Sequence, residues 1–117
     1  MTTQYENPAH ATLVAEVATA AEGVTGVAFL RPGLTDRLRS ALSRPGHAYS
    51  GGVRMTRPDG DEGPWHVEIH VVALRRARTV DVARVVRDTV ERRLEALESG
   101  PSARLAPRVT VTVTGLV

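Results

Sequence analysis

The sequence predicts an α+β domain in which two main helices and one short helix pack on a small mixed β-sheet of about four strands. Apolar residues recur every three or four positions over residues 13–21 and 82–97, the spacing of a buried helix face. Apolar and polar residues alternate over residues 65–74 and 108–114, the spacing of strands. The length of 117 residues favours a single domain over residues 1–117, with residues 1–8 as a flexible N-terminal arm.

The first helix is predicted to begin at Asn7 and Pro8, because asparagine is a favourable N-cap and proline suits the first helical position. Gly23 is expected to end it. The predicted buried stripe consists of Leu13, Val14, Val17 and Ala21.

Residues 24–52 carry weaker signals. Residues 24–30 are predicted to form a short strand or an extended connection, and Pro32 and Gly33 end it. Residues 35–43 are predicted to form a short amphipathic helix, and residues 44–52 a loop.

Two strands, at residues 53–56 and 65–74, are predicted to pair as an antiparallel hairpin across a turn-rich acidic loop. In the second strand one face is apolar and the other mostly polar. The apolar face comprises Trp65, Val67, Ile69, Val71 and Ala73, and the other face His66, Glu68, His70, Val72 and Leu74.

The longest helix is predicted to begin at the N-cap Thr79 and to stop at Ser99-Gly100-Pro101. Its expected buried stripe is Val82, Val86, Val90, Leu94 and Leu97. Alternating valine and threonine over residues 109–114 then predict a half-buried strand.

Composition excludes several classes of chemistry. The chain has no cysteine and no lysine, and its basic side chains are 15 arginines and four histidines. Disulfides, thiolate metal sites, cysteine nucleophiles, Schiff-base lysines and P-loop lysines are therefore excluded. We expect no signal peptide and no transmembrane segment, since neither an apolar leader nor a run of about 18 apolar residues is present. The net charge of +2 does not by itself indicate nucleic acid.

His66, Glu68 and His70 share one face of the predicted strand and could suggest a metal or ligand site. Strand residues rise about 3.3 Å each, so the two histidines are about 13 Å apart, too far to bind one ion. We interpret these residues as a solvent-facing polar row, with a ligand or pH-sensing site as the alternative.

Arginine-rich segments give the candidate contact residues. On the long helix, Arg84, Arg87 and Arg92 are each four residues from an acid, which predicts a self-neutralised, solvated face. The residues before that helix, Arg75, Arg76 and Arg78 (the arginine approach), are followed by no acid until Asp81. A second cluster comprises Arg31, Arg37, Arg39 and Arg44. Together the clusters could meet phosphates, anionic headgroups or an acidic partner, or remain dispersed on the surface.

No catalytic motif is recognisable. Ser50 is not in a nucleophile elbow, because Ala48 stands where the first glycine is required. Gly51 and Gly52 lack the spacing of a phosphate-binding loop. We therefore predict no enzymatic activity, no catalytic or metal-binding residues and no cofactor.

The order of the apolar motifs resembles a known family. The segments that carry the resemblance are Val-Ala-Glu-Val-Ala at 14–18, Val-Thr-Gly-Val at 24–27, Gly-Val-Arg-Met at 52–55, the strand at 67–72, the helix at 82–90 and the closing Val-Thr repeat with Gly-Leu-Val at 109–117. In this order they resemble the alkaline shock protein family, the Gls-type general stress or cell-envelope stress proteins. The chain departs from the family before the long helix, where residues 75–81 replace a glycine-rich approach, and after it, where residues 98–101 replace Met-Thr-Gly-Leu.

The resemblance implies a non-enzymatic cytoplasmic protein, peripheral at the inner face of the cell membrane through a membrane-anchored protein partner. On this hypothesis the chain is a protein–protein interaction module, and self-association through an exposed sheet edge is a further expectation. The predicted partner-binding residues are Arg75, Arg76 and Arg78, with Arg37 and Arg39 as secondary candidates. The alternative is a nucleic-acid-binding domain that uses the arginine clusters; the scarcity of aromatic side chains counts against it. No small-molecule substrate is expected.

Overall fold

The computed structural model describes residues 8–31, 49–60, 63–97 and 105–117. The predicted N-terminal arm up to residue 7, the predicted short helix at 35–43 and residues 44–48 of the predicted loop lie outside the described residues. Within them the predicted α+β class is confirmed. The elements are α1 Pro8–Glu22, β1 Val27–Leu30, β2 Tyr49–Ser50, β3 Val53–Thr56, β4 His66–Ala73, α2 Thr79–Leu97 and β5 Arg108–Leu116.

Helix α1 ends where the sequence predicts. The amide of Gly23 donates to the carbonyl of Thr19 at 3.1 Å, and the amide of Val24 donates to Ala21 at 3.2 Å. The first bond spans four residues and the second only three, so the second tightens the last turn before the chain continues to β1. Val14, Val17 and Ala21 are buried as predicted, whereas Leu13 is only partly buried.

The sheet is built around β4, which has neighbours on both edges. β5 runs parallel to β4 along its whole length. On the other edge β3 and β1 lie end to end, both antiparallel to β4: β3 pairs with residues 66–69 and β1 with residues 71–73. The predicted hairpin is thus confirmed, and the sheet is mixed as predicted. It has five strands, because Tyr49–Ser50 pairs with β3 instead of belonging to the predicted loop.

Gly52 lies at the junction where the end of β1 meets the start of β3 beside β4. His70 donates its amide to the carbonyl of Gly52 at 2.8 Å, and its own carbonyl accepts from Arg31 at 3.1 Å. Gly52 has a φ of 93°, and a Cβ atom there would lie 2.8 Å from the Cβ of Leu30 and 2.9 Å from the amide nitrogen of Arg31. Only glycine combines this backbone conformation with so close an approach of two strand ends.

The core lies between the two helices and one face of the sheet. The predicted apolar row of β4 faces it, and the buried positions of α2 are Val82, Val86, Val90 and Leu94. The prediction that Leu97 extends this stripe is wrong, because its side chain is 38% exposed in the last turn of α2. The helix begins at Thr79, but the N-cap is Arg78 and not Thr79 as predicted, because the carbonyl of Arg78 accepts the first helical bond, from Val82 at 2.9 Å.

Candidate partner-binding surface

The arginine approach forms the turn between β4 and α2. The amide of Ala77 donates to the carbonyl of Leu74 at 3.0 Å, and the amide of Arg75 donates to the carbonyl of Val117 at 2.6 Å. Ala77 points inward: a Cβ atom on Gly26 would lie 3.2 Å from its own. The turn is therefore attached both to the core and to the residue that follows β5, while its three arginines are exposed.

The charges of the arginine approach are largely uncompensated within the described residues. Arg78 lies 3.9 Å from Asp81, with 89% of its side chain exposed, so this contact is weak. Arg75 and Arg76 make no ion pair with any described residue. A surface of this kind can accept carboxylate or phosphate groups, which guanidinium groups bind through paired hydrogen bonds.

Only one member of the second predicted cluster is described. Arg37, Arg39 and Arg44 lie outside the described residues, whereas Arg31 is exposed at the end of β1. Its Nη2 atom is 3.9 Å from the position that a Cβ on Gly115 would occupy. The backbone of Arg31 pairs with His70 in the middle of β4, and its side chain extends toward Gly115 of β5.

The row of His66, Glu68 and His70 lies on the sheet face opposite the helices, as the alternation predicts. Glu68 is exposed and forms an ion pair with Arg54 of β3 at 3.6 Å. Among the described residues, no group of three histidine, aspartate or glutamate side chains is placed to hold a metal ion.

The ion pairs predicted along the exposed face of α2 do not form in the described structure. No ion pair within 4.0 Å joins Arg84 to Asp88, Arg87 to Glu91 or Asp88 to Arg92, although all five residues are described. The spacing of four residues permits such contacts, but exposed side chains gain little by leaving water to make them.

A groove between α2 and the outer edge of β5 is a feature that sequence reasoning missed. It has a volume of about 490 Å³ and is lined by Val80, Ala83, Arg84 and Arg87 of α2 and by Val109, Thr110 and Val111 of β5. We call it the β5 groove. One sequence feature could have indicated it, because Val80 is an apolar residue outside the predicted buried stripe of α2. In the structure Val80 is 66% exposed.

Comparison with protein-family models, with curated proteins and with solved structures finds no match to this chain. The resemblance to the alkaline shock protein family therefore stays a prediction. No helix in the described part of the chain has both the length and the apolar character that crossing a bilayer requires.

Proposed function

We propose that this chain is a non-enzymatic protein–protein interaction module whose arginine approach contacts an acidic surface of its partner. The observation that carries the proposal is the exposure of three arginines on one short turn, of which only Arg78 forms an ion pair with a described residue, Asp81. Arg31 adds a further exposed guanidinium group, which extends toward Gly115, two residues before Val117.

The backbone of the turn favours binding because it is held before a partner arrives. Its hydrogen bonds to Leu74 and Val117 hold the two ends of the turn, so association orders little additional backbone. The arginine side chains still lose rotamer freedom, which favours a partner that holds each guanidinium with paired carboxylate oxygens. Following the resemblance, we propose a membrane-anchored protein as the partner and the inner face of the cell membrane as the location.

The test is capture of partners from detergent-solubilised cells with the tagged full chain. The variant Arg75→Glu/Arg76→Glu should lose an integral membrane protein that the parent chain captures. Its melting temperature should change little, because both side chains are exposed. The control Arg92→Glu/Arg108→Glu makes the same change in charge at exposed positions elsewhere and should retain the partner. Equal capture by both variants would contradict the assignment.

Nucleic-acid binding is the second candidate, and one observation favours it. Arg84, Arg87 and Arg92 form no ion pair within 4.0 Å with the helical acids expected to face them. Against it, the single tryptophan is buried under Arg57, whose Cζ lies 4.3 Å from the ring centroid, so its ring offers no stacking platform. A nucleic-acid binder would retain nucleic acid in the same capture and release it as salt rises.

A further inference from the structure

The outer edge of β5 carries a regular row of outward-facing backbone groups. The amide of Arg108 donates to the carbonyl of Trp65 in the strand entry to β4, at 2.8 Å. Because backbone groups alternate in direction along a strand, those of Val109, Val111 and Val113 face away from β4. No strand among the described residues pairs with this edge. The edge therefore offers donors and acceptors at three alternate residues.

Helix α2 makes this edge a groove instead of a flat border. A strand added about 4.8 Å beyond β5 would lie under Val80 and Ala83 and beside Val109 and Val111. These valines are only partly buried, so an added strand would remove further apolar surface from water. The added strand would thus gain backbone hydrogen bonds and an apolar contact along one of its faces.

The charge of the β5 groove selects among occupants. Arg84 and Arg87 line it, and neither makes an ion pair with a described residue. No acidic side chain lines the groove in the described part of the chain. A second copy of β5 would bring no acid, since its sequence is Arg-Val-Thr-Val-Thr-Val-Thr-Gly-Leu, and would add another set of arginines. Self-pairing would therefore place like charges together, whereas an acidic strand would neutralise them.

We propose that the outer edge of β5 binds an extended segment of a protein partner as an added strand, and that Arg84 and Arg87 select segments with acidic side chains on the helix-facing side. This surface is distinct from the arginine approach and goes beyond the function proposed above. The proposal predicts that side chains of the partner segment alternate between two faces. Apolar and acidic side chains face α2, and polar side chains lie on the same face as the exposed threonines Thr110 and Thr112.

The test uses the full chain and a labelled, end-blocked eight-residue peptide. Threonine occupies every second position of the peptide, and valine and glutamate alternate in the row between. Fluorescence anisotropy should show binding of this peptide, and a version with glutamine for glutamate should bind about tenfold more weakly. Amide exchange by NMR should slow at Val109, Val111 and Val113 when the acidic peptide is added.

Two kinds of variant separate charge from backbone pairing. Arg84→Glu/Arg87→Glu should weaken binding of the acidic peptide at least tenfold, whereas Arg92→Glu/Arg93→Glu, with the same change in charge at α2 positions that do not line the groove, should retain it. Val111→Pro removes one outward-facing amide without removing a bond to β4, so it should abolish binding. Val111→Ala keeps the backbone amide and should weaken peptide binding less than Val111→Pro does.

Three results would overturn the proposal. The first is equal binding of the glutamate and glutamine peptides, and the second is no binding of either peptide at millimolar concentration. The third is concentration-dependent protection of the same three amides in the protein alone, which would assign the edge to a second copy. The function proposed for the arginine approach is tested separately, because Arg84→Glu/Arg87→Glu leaves that turn unaltered.

Discussion

Arg93 of α2 donates from both Nε and Nη2 to the same carboxylate oxygen of Glu16 in α1, at 3.1 and 2.5 Å. The two residues are 77 positions apart in the sequence. This contact joins the helices across the surface of their interface, and both side chains remain partly exposed, at 44% and 37%. The ion pair of Arg93 with Glu16 therefore depends on how the two helices pack, and not on the spacing of charges along α2.

The coupling between Glu16 and Arg93 should be small and sensitive to salt. A double-mutant cycle with Glu16→Gln and Arg93→Met should give an interaction energy of about 0.2–1 kcal/mol, because water competes for both partly exposed groups. The coupling should fall in 1 M salt. Urea unfolding measures it, and a cycle that pairs Glu16→Gln with Arg92→Met should show none.

Replacing Gly52 should destabilise the fold far more than replacing Gly60. Both residues have positive φ, 93° and 88°, but a Cβ on Gly60 meets no atom within 4 Å. Gly60→Ala should therefore cost only the backbone strain, about 1–2 kcal/mol. Gly52→Ala adds the clashes with Leu30 and Arg31 and should cost at least about 3 kcal/mol. Thermal and urea unfolding of the two variants compare these costs, and equal losses would contradict the described junction.

Leu94 and Leu97 should respond differently to the same truncation. Leu94 is 1% exposed in the core, whereas Leu97 is 38% exposed one turn later. Leu94→Ala should lower the free energy of unfolding by about 2–5 kcal/mol, because it removes buried methyl groups and leaves a cavity. Leu97→Ala should cost less than about 1 kcal/mol. Similar large losses would instead support the longer stripe predicted from the sequence.

The contact between Arg57 and Trp65 can be followed by fluorescence. The Cζ atom of Arg57 lies 4.3 Å from the centroid of the indole ring, and this tryptophan is the only one in the chain. Arg57→Ala should shift the emission maximum to longer wavelength, because water reaches the ring, and should destabilise the protein by about 0.5–1 kcal/mol. Arg54→Ala, in β3, should leave the emission unchanged.

The elements with strong periodicity were predictable because their local pattern reports burial directly. Strand β3 has the predicted bounds, β4 and α1 begin and end within a few residues of their predicted positions, and α2 begins at Thr79. The predicted stop of α2 at Ser99-Gly100-Pro101 lies outside the described residues. The alternation of valine and threonine in β5 correctly indicated a half-buried strand. Tyr49 and Ser50 escaped prediction as a strand, because two residues are too few to show a period.

The candidate contact residues were predictable only as exposed charges. Residue type and the absence of neighbouring acids identified Arg75, Arg76 and Arg78, and the structure places them together on one exposed turn. The same reasoning mispaired Arg84 and Arg87, because a spacing of four along a helix does not state whether two solvated side chains meet.

The sequence by itself determined which faces of α1, α2, β3 and β4 are apolar, where most of these elements stop, and that the chemistry of cysteine and lysine is absent. Only the tertiary structure decided that β1 and β3 share one edge of β4 and that β5 lies parallel on the other edge beneath α2. It also decided that position 52 requires glycine, because the end of β1 lies too close for a Cβ atom. The physical reason is that periodicity encodes the environment of each residue along one element. Edges, grooves and ion pairs depend on how separate elements pack, and that information is not contained in any single segment.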